Sequence, residues 1–134
     1  MQTQPWYEID VLSVGQGQRS GDAIAIKYSM VGGQWRVMVI DGGDRDSGAR
    51  LVSHIRNHFA TNIVNHVVNT HPDSDHCAGL SVVLEEMQVE ELWMHLPWLH
   101  SPRMMAAFDD ARLTPGGGVS LMRTRLRYSR TGRS

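Results

Sequence analysis

The sequence predicts an α/β fold in which an opening run of strands gives way to alternating helices and strands. Three observations carry that expectation. Short β-rich segments bounded by glycines fill the first 40 or so residues, apolar residues at helical spacing follow, and a second strand–loop–helix succession then comes. With 134 residues and 41% hydrophobic side chains, the chain can bury one ordinary core. It shows no internal repeat.

The first strand is read over Tyr7–Val14, where Tyr-Glu-Ile-Asp-Val begins a strict alternation of apolar and polar side chains. Gly15, Gly17 and Gly21, with polar residues between them, form a loop. Asp22–Ser29 and Gln34–Ile40 are two β-rich runs separated by Met30-Val31-Gly32-Gly33, the spacing of a hairpin. Asp41-Gly42-Gly43-Asp44 ends the third strand. Ser47 is placed to cap a helix over Gly48–Phe59, because Leu51, Val52, Ile55 and Phe59 fall on one helical face. Asn65–Thr70 reads as a short buried strand, and a loop containing Pro72 leads into a helix over His76–Met87. Glu90–Leu96 is a further strand, and Pro102–Ala111 has helical periodicity through Met104, Met105 and Phe108. The breaker cluster Pro115-Gly116-Gly117-Gly118 divides a domain over 1–114 from a Gly/Arg-rich tail over 115–134 that is expected to be disordered.

Composition narrows the function classes. Arg123, Arg125, Arg127, Arg130 and Arg133 crowd the last twelve positions, and without them the chain is acidic. Such a tail can attract phosphates, but short Arg-rich ends are commonly just solvated. The lone Cys77 cannot form an internal disulfide, and no basic start precedes an apolar run. A soluble, cytoplasmic protein without a membrane segment is expected.

The chemistry concentrates in His71-Pro72-Asp73-Ser74-Asp75-His76, which places four possible metal ligands within six residues on a loop. Imidazole and carboxylate suit zinc, manganese or iron, and a metal lowers the pKa of bound water from ~15.7 towards ~7. The bland alternative is an ordinary turn in which Asp75 caps the next helix.

The run Thr70-His71-Pro72-Asp73-Ser74-Asp75-His76-Cys77-Ala78-Gly79-Leu80 resembles the T-H-x-H-x-D-H-x-x-G-L signature of metallo-β-lactamase-fold hydrolases. Val39-Ile40-Asp41-Gly42-Gly43 resembles that family's earlier acidic motif. Val11-Leu12-Ser13-Val14-Gly15-Gln16-Gly17 resembles the D-V-G-Q-G opening of the competence-protein ComEC subgroup, with Gln18-Arg19-Ser20-Gly21 intervening before Asp22-Ala23-Ile24.

The resemblance implies the N-terminal half of a four-layer α/β/β/α sandwich. It implies one or two divalent ions, zinc first and manganese second, held by His71, Asp73, Asp75 and His76. Asp75 would also be the catalytic, water-orienting base, and Asp41, Gly42 and Gly43 would support the loop. Asp73 stands where most relatives have histidine, and a carboxylate there favours manganese or magnesium over zinc. His95 and His100 are weaker candidates, while His54, His58 and His66 read as surface histidines. A half sandwich would leave one apolar sheet face exposed, so self-association is expected.

The implied activity is metal-dependent hydrolysis of a phosphodiester in nucleic acid or a nucleotide. Ester or amide cleavage of a small molecule, as in lactamases and thioesterases, is the neighbouring alternative. Two other classes stay open: a truncated, inactive fragment that binds metal or a partner, and a nucleic-acid-binding module acting through the Arg tail.

Overall fold

Alternating side chains at the N-terminus do form an antiparallel meander, and the helical spacings beyond it form two crossover helices. The computed structural model describes residues 4–15, 21–95 and 124–127. Its elements in chain order are β1 (Trp6–Val11), β2 (Ala23–Ser29), β3 (Arg36–Gly42), α1 (Arg45–Asn57), β4 (Ile63–Val68), α2 (Ser74–Glu86), β5 (Gln88–Met94) and β6 (Thr124–Arg127). The strands make one sheet in the order β1-β2-β3-β4-β5-β6. β1, β2 and β3 pair antiparallel, β3, β4 and β5 pair parallel, and β6 returns antiparallel to β5.

The two parallel pairings require crossovers, which α1 and α2 supply. Because the strand order advances without reversing, right-handed crossovers put both helices on the same face. They pack on each other there, and both contact β3. Leu51, Val52 and Ile55 of α1 and Leu80, Val82 and Val83 of α2 meet Val37, Val39, Val64 and Val67 of the sheet in one buried cluster. Each such side chain contributes roughly 1.5–3 kcal/mol when fully buried.

The register defines the other face. Tyr7 stands opposite Tyr28. Ile9, Ile26, Met38, His66 and Glu91 form one row across the strands, and Val11, Ile24, Ile40, Val68 and Trp93 the next. The β1 end of this face is open, with Tyr7, Ile9 and Val11 all exposed. On the helix side of β1, Glu8 and Asp10 reach α1 instead.

Element boundaries differ from expectation in informative ways. α1 begins at Arg45 with Asp44 as its N-cap, not at Gly48 with Ser47 as the cap. Asp44 Oδ1 accepts from Ser47 N at 2.7 Å, so Ser47 is the capped residue, buried inside the first turn. α2 likewise starts two residues early, at Ser74, with Asp73 in the N-cap position. β6 falls inside the segment expected to be disordered, and its pairing supplies partners for the outer backbone groups of β5. The expected helix over 102–111 and His100 lie outside the described residues. Among the described residues, no helix is long and apolar enough to cross a membrane.

Candidate metal centre

The metal-competent loop leaves the C-terminal end of β4 and enters α2, beside the end of β3. Four backbone features pin these segments together. Gly79 N donates to Gly43 O at 2.9 Å, and Gly43 N donates to Asp22 O at 2.8 Å. A Cβ on Gly79 would lie 1.9 Å from Gly42 O, and one on Gly48 would lie 2.3 Å from Gly79 O. Only glycine lets α1, α2 and the end of β3 approach this closely, which explains a glycine inside the first turns of α1.

Asp41 is the hub of the site. It is 2% exposed, and its φ of 54° lies in the left-handed region that a non-glycine residue rarely adopts. Its Oδ1 accepts from Thr70 N at 2.8 Å. Its Oδ2 accepts a very short hydrogen bond from Thr70 Oγ1 and stands 3.0 Å from His76 Nδ1. Thr70 Oγ1 in turn lies 2.7 Å from His71 Nδ1.

With Asp41 as a carboxylate that only accepts, these contacts assign the protons. His76 Nδ1–H donates to Asp41, the Thr70 hydroxyl donates to Asp41, and the same hydroxyl oxygen accepts from His71 Nδ1–H. That assignment makes both rings Nδ1–H tautomers and leaves the Nε2 atoms for another partner. Hydrogen bonding from one ring nitrogen to a carboxylate or hydroxyl is the arrangement that orients histidine for metal binding through the other. The two rings lie side by side, with centroids 3.9 Å apart.

Ligand atoms of Asp41, His71 and His76 lie within 4.8 Å of one another. Of the three, Asp41 already has both oxygens engaged, with Thr70 and with His76. Asp73 is exposed, and its Oδ2 lies 3.5 Å from His71 Nε2. Although Asp73 occupies the N-cap position, its side chain makes no capping hydrogen bond, so its carboxylate is turned to the His71 side of the loop. Asp75 sits half-buried in the first turn of α2, where helix amides favour negative charge, and does not join the three-donor group.

Two residues beyond the expected set belong to this centre. Thr70 couples the two histidines through Asp41, and Asp22 Oδ2 approaches His76 Nδ1 at 4.0 Å. A hydroxyl residue at a strand end directly before the first histidine was the available signal for Thr70. Asp22 gives none locally, because the hairpin's closure brings it there. His66 contacts Glu91 at 3.3 Å on the other sheet face, away from this loop.

The model of the Metallo-beta-lactamase superfamily matches residues 22–119. A search of curated proteins finds no significant match.

Proposed function

Because the chain belongs to the metallo-β-lactamase superfamily and shares its metal-dependent hydrolytic chemistry at that level, we propose that it hydrolyses a phosphodiester, as a member of the ComEC-like branch. The observation that carries this reading is the relay His71–Thr70–Asp41–His76, which spends both Nδ1 edges internally and leaves the two Nε2 atoms for a metal.

The donor set fits a divalent transition ion: two oriented imidazoles, with the non-capping carboxylate of Asp73 3.5 Å from His71 Nε2. In this reading His71, His76 and Asp73 hold the ion, with Asp75 available to a second. Zinc is the first choice, and the carboxylate at Asp73 admits manganese. Such an ion supplies Lewis acidity and lowers the pKa of water towards ~7.

The protein's own groups do the rest. Asp75, half-buried at the start of α2, orients the attacking water and takes its proton. Asp41 and Thr70 hold the two rings still, so no reorganisation of the ligands accompanies the reaction. The Asp73 carboxylate, in place of the more usual imidazole, is what favours phosphoesters over β-lactams.

The test is turnover of bis(p-nitrophenyl) phosphate, p-nitrophenyl acetate and a chromogenic β-lactam by chain loaded with zinc or manganese. Phosphodiesterase activity lost in Asp75→Asn supports the proposal. Activity on the acetate or lactam alone overturns the substrate assignment. Stoichiometric metal with no turnover of any of the three overturns the catalytic reading in favour of a metal-binding remnant.

A further inference from the structure

We propose that the chain carries a second transition-metal site, formed by Asp10 of β1, His54 of α1 and His58 at the C-cap of that helix, with Glu8 at its edge. His54 lies ten residues along α1 from the Asp44 cap, about 15 Å at 1.5 Å per residue. No residue is shared between the two sites.

The geometry follows from the fold. His54 lies in the last turn of α1 and His58 is its C-cap with helical backbone, so the two, four residues apart, stand on one face, one turn apart. Their rings are 5.0 Å apart and tilted by only 31°. β1 runs past this face with the even-numbered side chains turned to it. His54 Nε2 lies 2.7 Å from Asp10 Oδ2, His58 Nε2 lies 3.9 Å from the same oxygen, and His58 Nε2 lies 2.6 Å from Glu8 Oε1. One ligand atom from each of Asp10, His54 and His58 falls within a mutual 4.8 Å.

Both Nε2 atoms thus converge on one carboxylate oxygen, with a second carboxylate alongside. Metal–nitrogen and metal–oxygen bonds of about 2.0–2.2 Å in a tetrahedron set donors roughly 3.3–3.5 Å apart. The His54–Asp10 contact would have to open by several tenths of an ångström and the His58–Asp10 separation close by about as much. Movements of that size are available to half-exposed side chains: His58 is 54% exposed and His54 and Asp10 are near 28%. Water can also fill an open position.

Two imidazoles and a carboxylate select borderline-soft divalent ions such as zinc, cobalt, nickel or copper over magnesium or calcium. The site bridges an edge strand to a helix, so its effect is to clamp β1. Hydrogen-bonded histidine–carboxylate pairs that never bind metal are the competing explanation, and they differ from the proposal in stoichiometry.

The measurement is cobalt titration of the full chain, followed by visible absorption and equilibrium dialysis, with circular dichroism to establish folding. In a His71→Ala/His76→Ala background, where the loop imidazoles are gone, one equivalent is expected, with visible ligand-field bands. Adding His54→Gln/His58→Gln should abolish it. Glutamine is a good helix former at position 54, and neither it nor a glutamine at the C-cap removes a buried apolar contact, so that pair should keep the helix intact. If the loop variant does not fold, the same His54→Gln/His58→Gln change in the otherwise native chain should lower bound cobalt by one equivalent and leave hydrolysis unchanged. Unchanged cobalt stoichiometry on that substitution overturns the proposal, whatever the fate of the loop site.

Discussion

Replacing Asp41 by Asn isolates the relay from the shape of the site. Asparagine is nearly isosteric with aspartate and tolerates positive φ, so the 54° backbone at position 41 adds little strain. Its carbonyl oxygen keeps the acceptor for Thr70 N, while an NH2 group replaces the oxygen that receives Thr70 Oγ1–H and His76 Nδ1–H. Two donors would then face a donor. The least costly escape turns the Thr70 hydroxyl to accept from the amide and donate to His71 Nδ1, and turns His76 Nδ1 into an acceptor. Both rings become Nε2–H tautomers, with protons where metal should bind. Losing one charge-assisted bond from a buried network costs about 1.5–3 kcal/mol of stability, and disturbing the groups that orient ligating histidines typically costs 10–100-fold in metal affinity. Competition of zinc or cobalt against a chelating dye measures the second quantity, and urea denaturation without metal measures the first. An Asp41→Asn variant that binds metal within about twofold of the native chain would refute the relay, because the tautomers would then not depend on Asp41.

Other consequences follow from the same contacts. Gly79→Ala drives a Cβ to within 1.9 Å of Gly42 O, a clash of backbone on backbone that must separate α2 from the end of β3; overpacking of this kind costs about 1–3 kcal/mol or more, and denaturant midpoints should fall accordingly. Leu51→Ala, at a side chain with no exposed surface, should lose about 2–5 kcal/mol in the same assay. Asp44→Ala removes the N-cap of α1 and should cost about 1 kcal/mol at neutral pH. The hydrogen bonds from Ser47 hold the Asp44 carboxyl below its ordinary value of 3.8, so its contribution is present above that pH and is lost as pH falls through the lower folded value. The stability gap between native and Asp44→Ala chains should therefore shrink on acidification below about pH 4; a gap that widens there would contradict the cap assignment. Tyr7, Ile9 and Val11 form an exposed apolar stripe, and their joint replacement by Thr should shift a concentration-dependent, self-associated size-exclusion profile towards monomer.

Much of this was legible in the residues themselves. The apolar face Leu51, Val52, Ile55, Phe59 gave α1, and the alternation in Tyr-Glu-Ile-Asp-Val gave β1 together with the face each side chain would take. The density of His and Asp after a strand gave the loop. What local pattern could not give was long-range closure. Asp22 comes to His76 only because the β2–β3 hairpin folds back on the loop, and Asp10 meets His54 only through the register of β1 on β2. Gly48 reads as the first helical residue because Ser47 could cap it, whereas the cap is Asp44 and Gly48 lies inside the helix. The reason for a glycine there is the neighbouring backbone of Gly79, which no reading of residues 45–57 alone can show. His54 and His58 read as surface histidines because the family the sequence resembles carries that helix on the outside, and the carboxylate beside them, Asp10, arrives from β1. β6 was hidden because four residues of alternating Thr, Arg and Leu become a strand only when β5 offers an edge.

The central claim is that His71 and His76 present Nε2 to a metal while Nδ1 stays protonated and tied to Thr70 and Asp41. Long-range proton–nitrogen NMR correlation of the imidazole rings tests it directly, with and without zinc and with assignments from single His→Gln variants. The account predicts Nδ1–H tautomers for both rings, with only the Nε2 resonances moving on zinc addition. Nε2–H tautomers that persist at saturating zinc, or ring signals that zinc leaves unmoved, would contradict it.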